Sequence, residues 1–200
     1  MRFRRFTILA GLVALVVLGA TTEANAKGGR PQQTTSCGAM STPFAHWGDQ
    51  GQYYFPGNAG FESGSDGWTL SGGATVVSGN EPWFVHSTSD AYSLQIPNGG
   101  SATTTICIDQ ASPELRFFAI GKGAKIKVSL AATKGPKAAA KLDGGKWTSN
   151  GNWNVSPPIS TVLSSATSRA TNNSVQVTFT VSGGTAQIDD LYVDPFALKR

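Results

Sequence analysis

Apolar and polar residues alternate with a period of two along most of the chain. The alternation is clearest at Val175, Val177, Phe179 and Val181, which are separated by Gln176, Thr178 and Thr180. That pattern turns one face of a strand to a core and the other to water. Ile126, Val128 and Leu130 repeat it against Lys125, Lys127 and Ser129, and Tyr92, Leu94 and Ile96 repeat it against Ser93 and Gln95. Further short strands are predicted at Trp68–Leu70, Ala74–Val77, Phe84–His86, Ala102–Ile108, Leu115–Ile120, Trp153–Ser156, Ile159–Leu163 and Thr185–Val193. Glycines punctuate them. Gly121–Gly123 predicts a hairpin between Leu115–Ile120 and Ala124–Leu130, and Gly183-Gly184 turns the Val175–Val181 strand into the last one. Residues 131–152 are the least regular, with one Ala-rich patch at 138–140 that suits a turn of helix. Many short strands, 24 glycines and no sustained helical period predict an all-β chain folded as an antiparallel β-sandwich. Its length suits a single domain over residues 57–195.

The last predicted strand is unusual. Asp189 and Asp190 stand side by side between Ile188 and Leu191-Tyr192-Val193. Alternation sends two neighbouring side chains to opposite faces, so one carboxylate points inward and needs hydrogen-bond donors or a cation. Far upstream, Phe61-Glu62 reads as a first strand, a natural neighbour of the last where the two ends of a sandwich meet. A solvated strand end with a side chain-to-backbone bond is the plainer reading of the pair.

Composition then trims the picture. Arg2, Arg4 and Arg5 precede the apolar run Phe6–Ala20, and Ala24-Asn25-Ala26 supplies a small-x-small site. Residues 1–26 therefore read as a signal peptide for ordinary secretion, leaving an extracellular chain free of the membrane. Without Arg2, Arg4, Arg5 and Glu23, the sixteen basic and twelve acidic residues leave a mature charge of about +2. So small a charge argues against a nucleic-acid partner. Lys122, Lys125, Lys127, Lys134, Lys137, Lys141 and Lys146 fall in one stretch whose only acid is Asp143. Such a run is ordinarily a solvated face, with weak attraction to an anionic polymer as the alternative. Residues 27–56 read as a disordered polar lead-in followed by an aromatic segment, Phe44, Trp47, Tyr53, Tyr54 and Phe55, laid against the sandwich. Residues 196–200 are a short tail. Cys37 and Cys107 are the only cysteines of an exported chain, and their pairing is expected.

No catalytic constellation is present. His46 and His86 are the only histidines, and Gly-x-Ser-x-Gly, His-Glu-x-x-His and phosphate-loop patterns are missing from the sequence. Glu62, Glu81, Asp90, Glu114 and the aspartate pair read as surface or cation-linked acids rather than a glycosidase pair. A non-enzymatic role follows. Aromatics are the better lead, because sugars stack their apolar ring faces on Trp or Tyr. Trp68 and Trp153 are expected in the core. Trp83, in Glu81-Pro-Trp-Phe84, and Trp147, in a Gly/Lys/Ser/Asn segment, are expected at the surface. Arg116 and Phe118 lie opposite Leu115 and Phe117 along their strand, and they line a shallow groove if that face is open.

The order Asn58-x-Gly60-Phe61-Glu62, Gly67-Trp68, Tyr92-Ser93-Leu94, Trp153, Ile188-Asp189-Asp190-Leu191-x-Val193 resembles the CenC-type carbohydrate-binding modules, a galactose-binding-like jelly roll. The resemblance covers roughly residues 57–195. It implies a structural calcium ion framed by Glu62 with Asp190 or Asp189, and a polysaccharide or cell-wall glycan as partner of a monomer. Calcium suits such a place, since a hard cation takes carboxylates and carbonyls. The glycan-contacting residues do not carry over by motif, so Trp83, Trp147, Arg116 and Phe118 rest on exposure alone. A secreted scaffold or interaction domain without a sugar site is the competing reading. An exposed aromatic row favours the first, and a face of Lys, Thr and Ser the second.

Overall fold

The computed structural model describes residues 36–108, 114–132, 141–160 and 174–195. The predicted leader, the lead-in before Ser36, the Ala-rich patch at 138–140 and the tail 196–200 lie outside the described residues. Thirteen strands follow in chain order: β1 Met40–Ser41, β2 Tyr53–Tyr54, β3 Trp68–Ser71, β4 Thr75–Ser78, β5 Tyr92–Ile96, β6 Ser101–Cys107, β7 Glu114–Ile120, β8 Lys122–Ala132, β9 Lys141–Asn150, β10 Asn154–Val155, β11 Ile159–Ser160, β12 Ser174–Ser182 and β13 Ala186–Asp194. They form two antiparallel sheets, with a single turn of 3₁₀ helix at Ala45–Trp47. In the first sheet β13 pairs with β7 on one side. On its other side it pairs with β5 through Ala186–Ile188 and with β2 through Val193. The second sheet runs β3-β6-β12-β8-β9. The all-β antiparallel sandwich read from the alternation is the fold.

The alternating residues meet where expected. Leu94, Ile96, Ile106, Leu115, Phe117, Ile126, Val128, Leu130, Val175, Val177, Phe179 and Ile188 form one continuous core between the sheets. Trp68 is buried there, its indole Nε1 donating to the Asn58 carbonyl at 3.1 Å. Each fully buried side chain of this kind stabilises the fold by roughly 1.5–3 kcal/mol.

The connections differ from the expected hairpins. β7 pairs with β13, β10 and β11, whereas β8 pairs with β12 and β9, so Gly121–Gly123 carries the chain from one sheet to the other. Gly183-Gly184 does the same between β12 and β13. At Gly121 the φ is +159°, nearly extended, but a Cβ there would stand 2.6 Å from the Thr185 carbonyl oxygen, so the two crossovers pack backbone on backbone. Residues 141–150, read as irregular, are the edge strand β9; their sequence hides it because Gly144-Gly145 and a register shift interrupt the alternation. Phe61-Glu62 lies in a turn rather than a first strand, and Phe84–His86 lies in an irregular loop.

The aromatic segment before residue 57 belongs to the first sheet. Met40–Ser41 pairs with Tyr53–Tyr54, and Tyr54 in turn with Val193. The Cys37–Cys107 disulfide is formed, tying this segment to the end of β6. The Tyr54 hydroxyl donates to the Cys107 carbonyl at 2.7 Å and accepts its amide at 2.8 Å, fixing the same corner without the sulfurs.

Candidate functional site

Asp189 and Asp190 sit where the β13 ladder is breached. β5 pairs as far as Ile188 and β2 begins at Val193, and on the β7 side the register slips between Asp189 and Tyr192. Asp190 takes a left-handed φ of 46°. A bulge of this kind breaks alternation, so both carboxylates are buried, at 1% and 0% exposure, instead of one turning outward. Two loops fill the breach. The Leu191 amide donates to the Ala59 carbonyl at 3.3 Å. Gly60 approaches so closely that a Cβ there would lie 2.9 Å from Asp190 Oδ1.

The other loop, residues 79–91, is hung on acids. The Glu81 amide donates to Asp189 Oδ2 at 3.0 Å, and the His86 amide to Asp190 Oδ2 at 3.2 Å. Glu81 itself is fully buried, and its carboxylate accepts the amides of Trp83 and Val85, so the chain wraps a turn around it. At the summit Trp83 and Phe84 are 41% and 44% exposed, with Phe84 at φ 51°. A bulky residue held in that conformation costs of order 1–3 kcal/mol, and the amide anchors on both sides supply the constraint.

Beside the turn, His86 Nδ1 meets Asp90 Oδ2 at 2.8 Å, and its ring stacks on Phe55 with centroids 3.8 Å apart. His86, Asp90 and Asp190 each bring one ligand atom within 4.8 Å of the others. Glu81, Asp90, Asp189 and Asp190 are all buried, and no Lys or Arg ion pair reaches them among the described residues. Burial, reinforced by the charge on Asp190, pushes the Asp189 carboxyl up to about 9. Burial and the charge on Glu81 push Asp190 up to about 7, against a lowering by His86. Asp190 Oδ1 is buried with no hydrogen-bond partner. A buried carboxylate oxygen in that condition calls for a proton or a cation.

The expected calcium set is assembled only in part. Asp189 spends Oδ2 on Glu81 and Oδ1 on the Asp190 amide at 2.9 Å. Glu62 stands outside the cluster, its Oε1 accepting the Ala91 and Tyr92 amides at 2.9 and 3.0 Å, where it fixes the start of β5. Asp190 alone of the three has a buried oxygen without a partner, and Asp90 and His86 join it. The donors present, two carboxylates with an imidazole orienting one of them, fit a divalent cation. His86 and Asp90 carry no metal spacing in the sequence. Only the bulge at Asp190 brings them together.

Of the four residues expected to face a glycan, Trp83 alone is exposed. Trp147 points between the sheets, edge-on to Phe117 at 6.1 Å, because its partner across the ladder is the core residue Ile126. Arg116 and Phe118 are 5% and 0% exposed, and the face they share is covered. Residues 44–53 lie across it. Phe44, Tyr53, Phe118 and Tyr192 form a second core there, with Trp153 half-buried against it. Arg116 donates to Asp49 Oδ2 at 2.7 Å and twice to the Ser156 carbonyl, with its guanidinium 4.5 Å from the Phe44 ring centre. Burial would raise Asp49, but the Gly51 amide, the Tyr53 hydroxyl and Arg116 outweigh it and hold the carboxyl below its usual range.

At the rim of this second core an aromatic ridge reaches the surface. Trp47 meets Trp83 edge to face at 5.3 Å, and Phe118 supports both from below at 5.4 and 5.5 Å. Trp47 and Phe84 are the members that sequence reading placed elsewhere, one in a covering segment and one in a strand.

No family model and no curated protein matches the chain. Solved structures do. One is TmCBM61 in complex with β-1,4-galactotriose, with a TM-score of 0.50 and 18% identity over 70% of this chain and 96% of that one. Another is the CBM22-1–GH10 part of Clostridium thermocellum xylanase 10B complexed with xylohexaose, with a TM-score of 0.50 and 13% identity over 71% of this chain. The chain spans only 28% of that second structure. At these identities the likeness is one of fold: a sandwich of the kind found in carbohydrate-binding modules.

Proposed function

We propose that the chain is a secreted, monomeric, non-catalytic glycan-binding protein of the CenC-like, galactose-binding-like type, with the Trp47–Trp83–Phe84 ridge as its contact surface. The observation that carries this reading is the Trp83-Phe84 turn. Two large aromatics are held out to solvent, one of them in a strained conformation, by a buried carboxylate that serves no other visible purpose. Rigid exposed rings are what sugar stacking requires. A ridge buries little of each ring, so affinity is modest, with about 1 kcal/mol per stacked residue.

Calcium belongs to the same proposal as a structural ion. Asp190 and Asp90 would hold it, His86 would orient Asp90, and Asp189 and Glu62 would order the loops on either side. The ion would supply positive charge to a buried acidic cluster, and Asp190, which accepts the His86 amide, would link it to the turn that displays Trp83. The test is affinity electrophoresis of the full chain through gels containing β-1,4-galactan or xylan. Retardation that Trp83→Ala weakens several-fold is the expected result. Unretarded migration through every neutral glycan would leave the scaffold reading in its place.

A further inference from the structure

The outer face of the second sheet has a chemistry of its own. Cross-strand register builds a row Ser71, Ser101, Thr180, Lys127, Lys146 across all five strands. At about 4.8 Å per strand step the row spans about 19 Å. One neighbouring row runs Thr69, Thr103, Thr178, Ser129, with the Thr103 and Thr178 hydroxyls bonded at 2.9 Å. Another sets Ser182 against Lys125 and Thr148. Lys125 and Lys146 are exposed, and with Lys127, Thr180 and Ser182 they line a groove of about 210 Å³. The one acid of β9, Asp143, occupies the next register row, opposite Ser129.

We infer that this face binds a carboxylate-bearing polysaccharide laid across the strands, its anionic groups at Lys125 and Lys146 and its hydroxyls against the Thr and Ser rows. The exposed ammonium groups of Lys125 and Lys146 in one groove raise the local concentration of an anionic chain. Lysine supplies point charges without the planar fork that arginine offers to phosphate, and among the described residues no arginine lines the groove. This surface is on the sheet opposite the one that carries Phe118 and the aromatic ridge, so the inference does not rest on the ridge being a sugar site.

The experiment is affinity electrophoresis of the full chain through gels containing polygalacturonate, with the fully methyl-esterified polymer as the uncharged control. The expected result is retardation by polygalacturonate only, weakening about tenfold as salt rises from about 0.02 M to about 0.2 M. Lys125→Gln with Lys146→Gln should remove the retardation and leave the melting temperature unchanged, since both side chains are exposed. Trp83→Ala should leave it intact. Equal retention by the esterified polymer, survival of retention in the double lysine variant, loss of retention in Trp83→Ala, or no retention of the wild type at low salt would each overturn the inference.

Discussion

Replacing Asp190 by Asn tests whether the buried acids are a cost carried for a cation. Raising this carboxyl from 3.8 to about 7 makes its ionised form expensive in the folded chain. At about pH 8 the penalty is of order 4 kcal/mol when nothing neutralises it. The sign follows from linkage. The folded form binds the proton more tightly than the unfolded one, so the contribution to stability is fully present below about pH 4. It is lost as pH rises through about 7 for Asp190 and about 9 for Asp189. In chelator the wild type should therefore melt lower at high pH than at about pH 5. Asn keeps an oxygen for the His86 amide and points an NH₂ where Oδ1 now lacks a partner, toward the neighbouring acids. Asp190→Asn in chelator at about pH 8 should melt roughly 8–16 °C above wild type. Excess calcium should raise the wild type by stabilising the folded form and leave the variant unmoved. Circular dichroism melts across pH, with and without calcium, read all three arms. A wild type whose melting temperature rises with pH in chelator, or a variant less stable than wild type there, would refute the reasoning.

Trp83→Ala should weaken retention by neutral glycan several-fold, about 1 kcal/mol, with melting nearly unchanged; Trp68→Ala, buried between the sheets, should instead cost about 3–5 kcal/mol in a denaturant titration. Thiol labelling should find no free cysteine. Reducing the Cys37–Cys107 bridge, which closes 70 residues, should cost about 4 kcal/mol and expose residues 37–55 first in hydrogen exchange. Arg116→Ala removes the cation paired with Asp49, leaves the Ser156 carbonyl without its two guanidinium donors, and should destabilise by about 3 kcal/mol; a loss below 0.5 kcal/mol, the ordinary size of a surface change, would show that the pair with Asp49 holds nothing down.

The sandwich was legible because strands of the second sheet such as β12 are half-buried, and half-burial writes itself as alternation, whereas β7 and β13 are buried on both faces. Val175–Val181 and Ile126–Leu130 could be read residue by residue. What alternation does not encode is which strand lies beside which. The glycine pairs at 121–123 and 183–184 look like hairpin turns, yet they are crossovers, and only the packing of two sheets distinguishes those cases. Asp189-Asp190 announced itself as an anomaly, and both residues are buried where the β13 register slips. Its partners Glu81, His86 and Asp90 were invisible as partners because they come from a loop without periodicity. The face of Arg116 and Phe118 was correctly separated from that of Leu115 and Phe117. Its covering was not foreseen, because the aromatic segment that lies on it is folded by long-range contacts to Phe118, Tyr192 and Arg116.

That covering decides where a glycan could bind. To open the face of Arg116 and Phe118, residues 44–53 must leave it. Phe44 and Tyr53 are 0% and 1% exposed, and re-exposing two such rings costs roughly 4–5 kcal/mol together. Breaking the Arg116–Asp49 pair while Arg116 remains against apolar neighbours adds to this. An opening cost of that size reduces the competent population to about one molecule in several thousand and weakens any observed affinity by the same factor. A millimolar interaction, about −4 kcal/mol, would vanish under such a load. The disulfide at Cys37 and the pairing of β1 with β2 hold the segment at its other end, so it cannot swing away as a free strap. A shallow sugar site on this protein therefore has to lie where aromatics are already exposed and already rigid. The ridge meets both conditions at Trp83 and Phe84, which are exposed on an anchored turn, with half-buried Trp47 edge-on to Trp83.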